Sequence, residues 1–207
     1  MTQITHLNTN QQTELQINAL CVFCGSSARG REVHRQAATN LGKLFAAKNI
    51  RLVYGGGRVG LMGIIADATM QAGGDVTGII PGHLEKSEVG HEGISELIVV
   101  DSMHLRKELM FQKSDGFVIL PGGFGTLDEL FEILTWKQLH LHDKPVIIVN
   151  IENYWDPLKD LINHSISEGY AHPSHSKLFT FVDTIEEILP ALNQIHEERL
   201  PLSAKWI

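Results

Sequence analysis

Seven short apolar runs, rich in Val and Ile, recur along the chain, with longer stretches of mixed polarity between them. The runs fall at 18–24, 50–54, 76–80, 97–100, 116–120, 145–150 and 178–182. Runs such as "FVIL" and "PVIIVN" are apolar at successive rather than alternate positions, as in strands covered on both faces. The stretches between them, near 30–48, 60–72, 102–114, 127–141, 155–168 and 184–196, have the length and amphipathic pattern of helices. Alternation of the two predicts an α/β fold: a single-domain, doubly wound parallel sheet of Rossmann-like type, with helices on both faces. "PGHLEKSEVGHEG" (81–93) is expected to be a long irregular connection, and loops of that length in a compact domain are often functional. Residues 1–17, rich in Gln, Asn and Thr, are expected to form a polar tail ahead of one domain spanning 18–207.

A chain of 207 residues, 43% hydrophobic and 20% charged, suits one sizeable globular domain. A net charge of -7 argues against broad binding to nucleic acid or to an acidic membrane surface. It leaves room for a small phosphorylated ligand, because a local cradle can oppose the global sign. No apolar run approaches the ~20 residues that span a bilayer. The N-terminal stretch lacks the basic and apolar regions of a secretory signal, so a cytoplasmic protein is expected. Cys21 and Cys24 form a C-x-x-C inside "INALCVFCGSS", which reads as a strand. Buried thiols acting as small hydrophobes are expected there, since a redox dithiol needs a helix start. The pairs His140/His142 and His172/His175 lack acidic or Cys partners at ligand spacing, so no metal site is expected.

Chemistry collects at the carboxyl ends of the predicted strands, where ligands bind in such folds. "CGSS" follows the first strand, "GGGRVG" the second, "SMHLRK" the fourth and "PGGFGT" the fifth. Ser27, Gly56 and Gly57 are therefore candidate ligand contacts. "GGGRVG" fits the dinucleotide pattern G-x-G-x-x-G, but it follows the second strand, and "DVTGII" ends in no ribose-binding acid. A glycine turn lining a nucleotide site without NAD is favoured; a tight turn with close helix–strand packing is the alternative. "PGGFGT" leaves a buried strand and opens a helix, so its amides and the dipole can meet a phosphate. No Lys-Ser/Thr follows its last glycine, which argues against a Walker loop and ATP hydrolysis.

Asp128 and Glu129 are placed by this pattern in the first turn of that helix, and Thr126-x-x-Glu129 fits a capping box. A carboxylate beside a phosphate site is poor at binding phosphate. It suits stabilising a positive centre next to that phosphate, such as a ribosyl oxocarbenium ion, or activating a water. Arg106 and Lys107 open a helix on the same rim, where cations oppose the dipole at a cost of ~0.3–1 kcal/mol. An anionic ligand or Glu129 would offset that cost.

"CVFCGSS", "LVYGGGRVGLMG", "GIIPGHL", "MHLRKELM", "LPGGFGTLDEL" and "TWKQLHLHDKPV" together resemble, in order, the Lonely Guy (LOG) family. The resemblance spans about residues 18–192 and rests on R-K combined with P-G-G-x-G-T-x-x-E. It implies cleavage of the N-glycosidic bond of an N6-modified AMP to free base and ribose 5-phosphate, with no cofactor. It also implies a homodimer whose site lies close to the subunit interface. Arg106 and Glu129 would be catalytic; Glu88, Lys107, Gly123, Phe124, Gly125, Thr126, Leu127, Asp128 and Thr135 would contact the nucleotide. Two departures stand out: Gly82, where Lys is common, and His140, where Gly is common and where substrate choice is put in question. Pyridoxal phosphate chemistry would need a Schiff-base lysine and a ring-nitrogen partner, and no residue announces either. Two other functions fit the same residues: a general purine nucleoside monophosphate nucleosidase, and a non-catalytic nucleotide or cofactor carrier. An N6 tail would want an apolar wall, for which the rim offers Leu61, Met62, Met103, Leu105 and Phe124. In "TLDELFEILTWKQLHLH" the apolar positions spread too widely for one sheet-facing stripe, which marks this helix for a two-fold interface.

Overall fold

The computed structural model describes residues 16–88 and 90–194. Among the described residues seven strands alternate with helices: β1 Ala19–Phe23, β2 Arg51–Tyr54, β3 Val76–Pro81, β4 Glu96–Val100, β5 Gly116–Ile119, β6 Val146–Val149 and β7 Thr180–Val182. The helices are α1 Glu32–Ala47, α2 Gly60–Gln71, α3 Gly82–Glu88, α4 Met103–Gln112, α5 Phe124–Gln138, α6 Asp156–Ser167 and α7 Ile188–Gln194. Each expected strand is present within two residues at either end. The strands form one sheet in the order β4-β3-β2-β1-β5-β6-β7, and each neighbouring pair is parallel.

Continuous apolarity has the cause inferred from it: successive strand residues point to opposite faces, and both faces are covered. Leu20 and Val22 of β1 pack with Leu41 and Phe45 of α1, Ile65 of α2 and Ile188 of α7. Cys21 and Phe23 pack on the other face with Met110 of α4, Leu130 and Ile133 of α5 and Leu158 of α6. The central strands β1, β5 and β6 are buried throughout, whereas the edge strand β4 has its outer positions partly exposed. The two cysteines are free and buried in this double core. Burial, with the negative charge of Glu129 as the second cause, pushes both thiols far above their usual range. They behave as small hydrophobes.

Two expectations need correction. Residues 81–93 are not an irregular loop, because α3 occupies Gly82–Glu88. "HLEKSE" consists of adequate helix formers but carries only Leu84 as an apolar position, so no stripe betrays the helix. The second correction concerns α5, which starts at Phe124 rather than 127. Of the terminal segments, residues 1–15 and 195–207 lie outside the described residues, so the polar tail and the end of the expected last helix are not seen.

Strand order reverses at β1, whose neighbours are β2 on one side and β5 on the other. The crevice above the carboxyl ends of β1 and β5 is therefore the topological switch point, the preferred ligand position in such sheets. Backbone hydrogen bonds tie its loops together: Gly25 N donates to Pro121 O at 3.0 Å, and Leu61 N donates to Gly25 O at 2.9 Å.

Candidate active site at the switch point

Helix α5 begins directly out of the loop after β5. Gly123 is its N-cap and contributes no side-chain cap, so the amides of Phe124, Gly125 and Thr126 lack both an intrahelical and a side-chain acceptor. Thr126 is thus the third helical residue, not a cap, and the expected capping box does not form. The reason is steric. Thr126 is buried beneath the loop, and a Cβ on Gly122 would run into Thr126 Oγ1. Glycine at 122 lets the loop close over the threonine and frees the helix end. Asp128 and Glu129 accordingly sit in the second turn, clear of the open amides. Tyr154, from the turn after β6, fixes the loop from outside by donating its hydroxyl to Gly122 O at 2.6 Å.

Arg106 projects from α4 into the protein and is only 7% exposed. Its Nε donates to Ile79 O at 3.1 Å and its Nη2 to Gly55 O at 3.0 Å. Nη1 lies 3.3 Å from Met103 Sδ and 4.0 Å from Glu129 Oε1. Two backbone carbonyls therefore aim the third nitrogen at Glu129, whose side chain is 12% exposed. A fixed cation and a largely buried carboxylate thus face each other at 4.0 Å. In so little water their interaction is far stronger than that of a surface pair.

Lys107 makes a second, more open cluster. Its Nζ lies 3.2 Å from Asp128 Oδ2 and 3.0 Å from Glu132 Oε1. Burial alone would lower the ammonium pKa; hydrogen bonds and charge from Glu132 and Asp128 reverse that and hold it above its usual value. The cations at the start of α4 are thus offset by acids of α5, and Asp128 does not face the anion cradle uncompensated. Glu132 was not picked out from the sequence. Its signal is spacing: Asp128 and Glu132 are four apart and share a helix face with Lys107 opposite.

The remaining candidates fall into three groups. Phe124, Leu127, Asp128 and Thr135 line one shallow hollow of about 480 Å³ along α5, together with Phe131, Glu132 and Trp136. Phe124 is 94% exposed at its mouth. Ser27 lines a different hollow of about 390 Å³, with Arg35, Arg58 and Asp67. Gly56 and Gly57 are buried, and their backbones hold the segment after α3: His91 N donates to Gly56 O at 3.2 Å, and Gly57 bridges Gly90. Glu88 closes α3 next to that segment, and its side chain lies outside the described residues.

The apolar wall needs redrawing. Leu61 and Met62 belong to the core under α2, while Phe124, Leu127, Phe131 and Trp136 form the wall present. His140 sits past α5 in the left-handed region at φ 58. His142 is buried and engages both ring nitrogens, with Ile133 O at 2.9 Å and Lys144 N at 3.1 Å. His172 and His175 cap one short turn between them.

Fold and rim define the class: a Rossmann-type α/β protein with an open helix N-terminus and a buried cation–carboxylate pair at its switch point. Within that class the chain belongs to the LOG family of cytokinin riboside 5′-monophosphate phosphoribohydrolases. The family model described as "Possible lysine decarboxylase" matches residues 62–192. A cytokinin riboside 5′-monophosphate phosphoribohydrolase from Arabidopsis thaliana is 39% identical over 197 residues, covering 94% of this chain and 92% of that one. A second from the same plant is 43% identical over 173 residues, with coverages of 84% and 76%. A probable one from Oryza sativa subsp. japonica is 41% identical over 189 residues, covering 90% and 78%. Among solved structures, the molybdenum cofactor carrier protein of Chlamydomonas reinhardtii aligns with a TM-score of 0.65 at 22% identity, over 87% of this chain and 98% of that one. At that identity the likeness establishes the fold.

Proposed function

We propose that this protein hydrolyses the N-glycosidic bond of N6-modified adenosine 5′-monophosphates, releasing the free base and ribose 5-phosphate. One observation carries the mechanism: a buried Arg106–Glu129 pair stands beside an uncapped, glycine-opened helix N-terminus. The amides of residues 124–126 and the α5 dipole hold the 5′-phosphate. The reacting carbon is one short sugar away. As the C1′–N9 bond breaks, its electron pair leaves with the base, which takes up a proton, and positive charge develops on the ribosyl ring. Glu129 faces that charge and stabilises it, and a water adds to C1′ as it gives up its proton. Arg106, pinned by two carbonyls, fixes the position of Glu129 and presents Nη1 to the ligand edge. Asp128 accepts from the nucleotide, and so does Thr135, whose own hydroxyl proton is donated to Phe131 O at 2.7 Å, with Glu88 joining from α3.

The hollow along α5 takes the N6 substituent against Phe124, Leu127, Phe131 and Trp136. A purine site built to read a bare amine would instead present a buried acceptor, left unpaired by an alkylated base. The same exposed apolar face supports a two-fold homodimer through α5, in a cytoplasmic protein whose only co-reactant is water. Sedimentation at micromolar concentration checks the dimer; a fully active 23.0 kDa monomer would remove it. The activity is tested by product analysis across a panel of nucleoside 5′-monophosphates. Isopentenyl-AMP is expected to exceed AMP in kcat/KM by about tenfold, or ~1.4 kcal/mol of differential contact. Equal or better turnover of AMP would replace this reading with a general nucleosidase. Tight binding without turnover of any substrate would make the protein a carrier.

A further inference from the structure

We infer that Gly55 is a positioning residue for the reaction: the first glycine of "GGGRVG" is the seat of the Arg106 guanidinium. This rests on the catalytic reading of Arg106 given above. A Cβ built on Gly55 would overlap Arg106 Nη2 and stand 3.1 Å from Cζ and 3.4 Å from Met62 Sδ. Its own carbonyl accepts from that same Nη2 at 3.0 Å. The guanidinium therefore lies against the bare Cα face of residue 55 while bonded to its oxygen. Ile79 O of β3 completes the seat by accepting from Nε.

Backbone need does not explain the glycine. Gly56 and Gly60 adopt positive φ values of 77 and 65, which favour glycine in themselves, but Gly55 does not. An alanine at 55 has an allowed backbone and collides with one side chain in particular. That side chain is 7% exposed and already bonded to Ile79 O and Gly55 O, so it yields to a methyl only by giving up that seat. A methyl at 55 must break the hydrogen bond to Gly55 O, tilt the guanidinium and shift Nη1 away from Glu129. One added methyl at residue 55 thus becomes a misaimed catalytic pair, without contact between residue 55 and substrate.

A double-mutant cycle tests this. Gly55→Ala in the native background is expected to lower kcat about 100-fold, the scale of a misplacement near 1 Å, with KM changed far less. In an Arg106→Ala background the same substitution is expected to change kcat by less than about twofold, because the methyl then enters vacated space. The Arg106→Ala, Gly55→Ala double variant should melt at or above the temperature of Arg106→Ala alone. The side-chain Nε–H of Arg106, buried and bonded to Ile79 O, is expected to exchange slowly with solvent in the native protein and much faster in Gly55→Ala. Near-native kcat in Gly55→Ala overturns the inference, as does an equal loss of stability in both backgrounds or failure to fold in both. If Arg106→Ala itself keeps native kcat, the catalytic reading of Arg106 fails first, and the two failures are told apart by that single variant.

Discussion

The glycine loop after β2 and the glycine loop after β5 both turn a buried strand into a helix at the carboxyl rim, yet one is roofed and the other is open. In the first, Gly55, Gly56 and Gly57 are buried, and added Cβ atoms at 55 and 56 meet Arg106 and the β3 backbone. In the second, Gly123 and Gly125 are exposed, and a Cβ on either meets nothing within 4 Å. The first loop needs glycine for what the protein itself puts there. At Gly123 and Gly125 of the second the protein itself puts nothing, and in the function proposed above their bareness serves the phosphate of a ligand. Equal density of glycine in a sequence thus covers two structural situations, and the proposed function gives each a use: seating the Arg106 side chain, and presenting amides to an anion.

The comparison breaks most visibly at Glu129, the acid that follows the open loop. Glu129→Gln is expected to keep the fold and lower kcat about 100–1000-fold, the range for loss of one preorganised charge at a developing ion. Steady-state kinetics with a thermal melt on the same sample checks it. Turnover near the native value would leave Glu129 as a structural partner of Arg106 and strip the open loop of its catalytic neighbour.

Removing the anion probes the open loop itself. A nucleoside lacking its 5′-phosphate is expected to lose about 50-fold or more in kcat/KM, since one hydrogen bond to a charged group is worth roughly 1.5–3 kcal/mol. Side-by-side progress curves for the riboside and its monophosphate decide this. Equal values would mean that the open amides bind nothing.

Substitution within the open loop sharpens the contrast further. Gly125→Ala lies in the first turn of α5 with free space around it, so stability is expected to rise by about 0.4–1 kcal/mol. Phosphate binding should suffer at the same time, with KM up about tenfold, or ~1.4 kcal/mol. Gly122→Ala should do the reverse in stability, because its methyl strikes the buried Thr126. Urea titrations and KM values on the two variants suffice. A Gly125→Ala variant with unchanged KM would remove the cradle from the ligand.

How far these features were legible differs by physical cause. The strands were readable because burial on both faces leaves an unbroken apolar run, and the all-parallel sheet followed from alternation with helices. The capping box at Thr126 and Glu129 was read and does not exist: the pattern requires the helix to start at 127, and the packing of Thr126 under Gly122 moves the start to 124. The identity of Arg106 and Glu129 was visible through the family motifs. Their geometry was not, because it depends on the carbonyls of Ile79 in β3 and of Gly55 in the loop after β2. Tyr154 and Glu132 escape a sequence reading for the same reason, since their partners Gly122 and Lys107 are 32 and 25 residues away. The apolar wall was half right, because Leu61 and Met62 sit at helical positions that the core takes first.

The smallest expected effect concerns a place where glycine geometry is held by another residue. α5 ends with His140 N donating to Lys137 O at 3.0 Å and Leu141 N to Trp136 O at 2.9 Å, which forces His140 to φ 58. α1 ends in the same way: Asn49 N donates to Ala46 O at 3.1 Å, Ile50 N to Phe45 O at 2.9 Å, and Asn49 has φ 54. A non-glycine residue in this region costs roughly 1–2 kcal/mol, less for Asn, whose short polar side chain bonds locally. Glycine relieves that strain but frees the unfolded chain, which takes back about 0.4–1 kcal/mol. His140→Gly is therefore expected to gain ~0.5 kcal/mol in stability, and Asn49→Gly about nothing. Neither should change KM, since the hollow along α5 reaches Trp136 and not His140. Paired urea titrations measure the first difference, and kinetics with isopentenyl-AMP and AMP the second. A change in the ratio of the two substrates in His140→Gly would put residue 140 into the recognition of the base, and with it a part of the site that lies beyond the open loop.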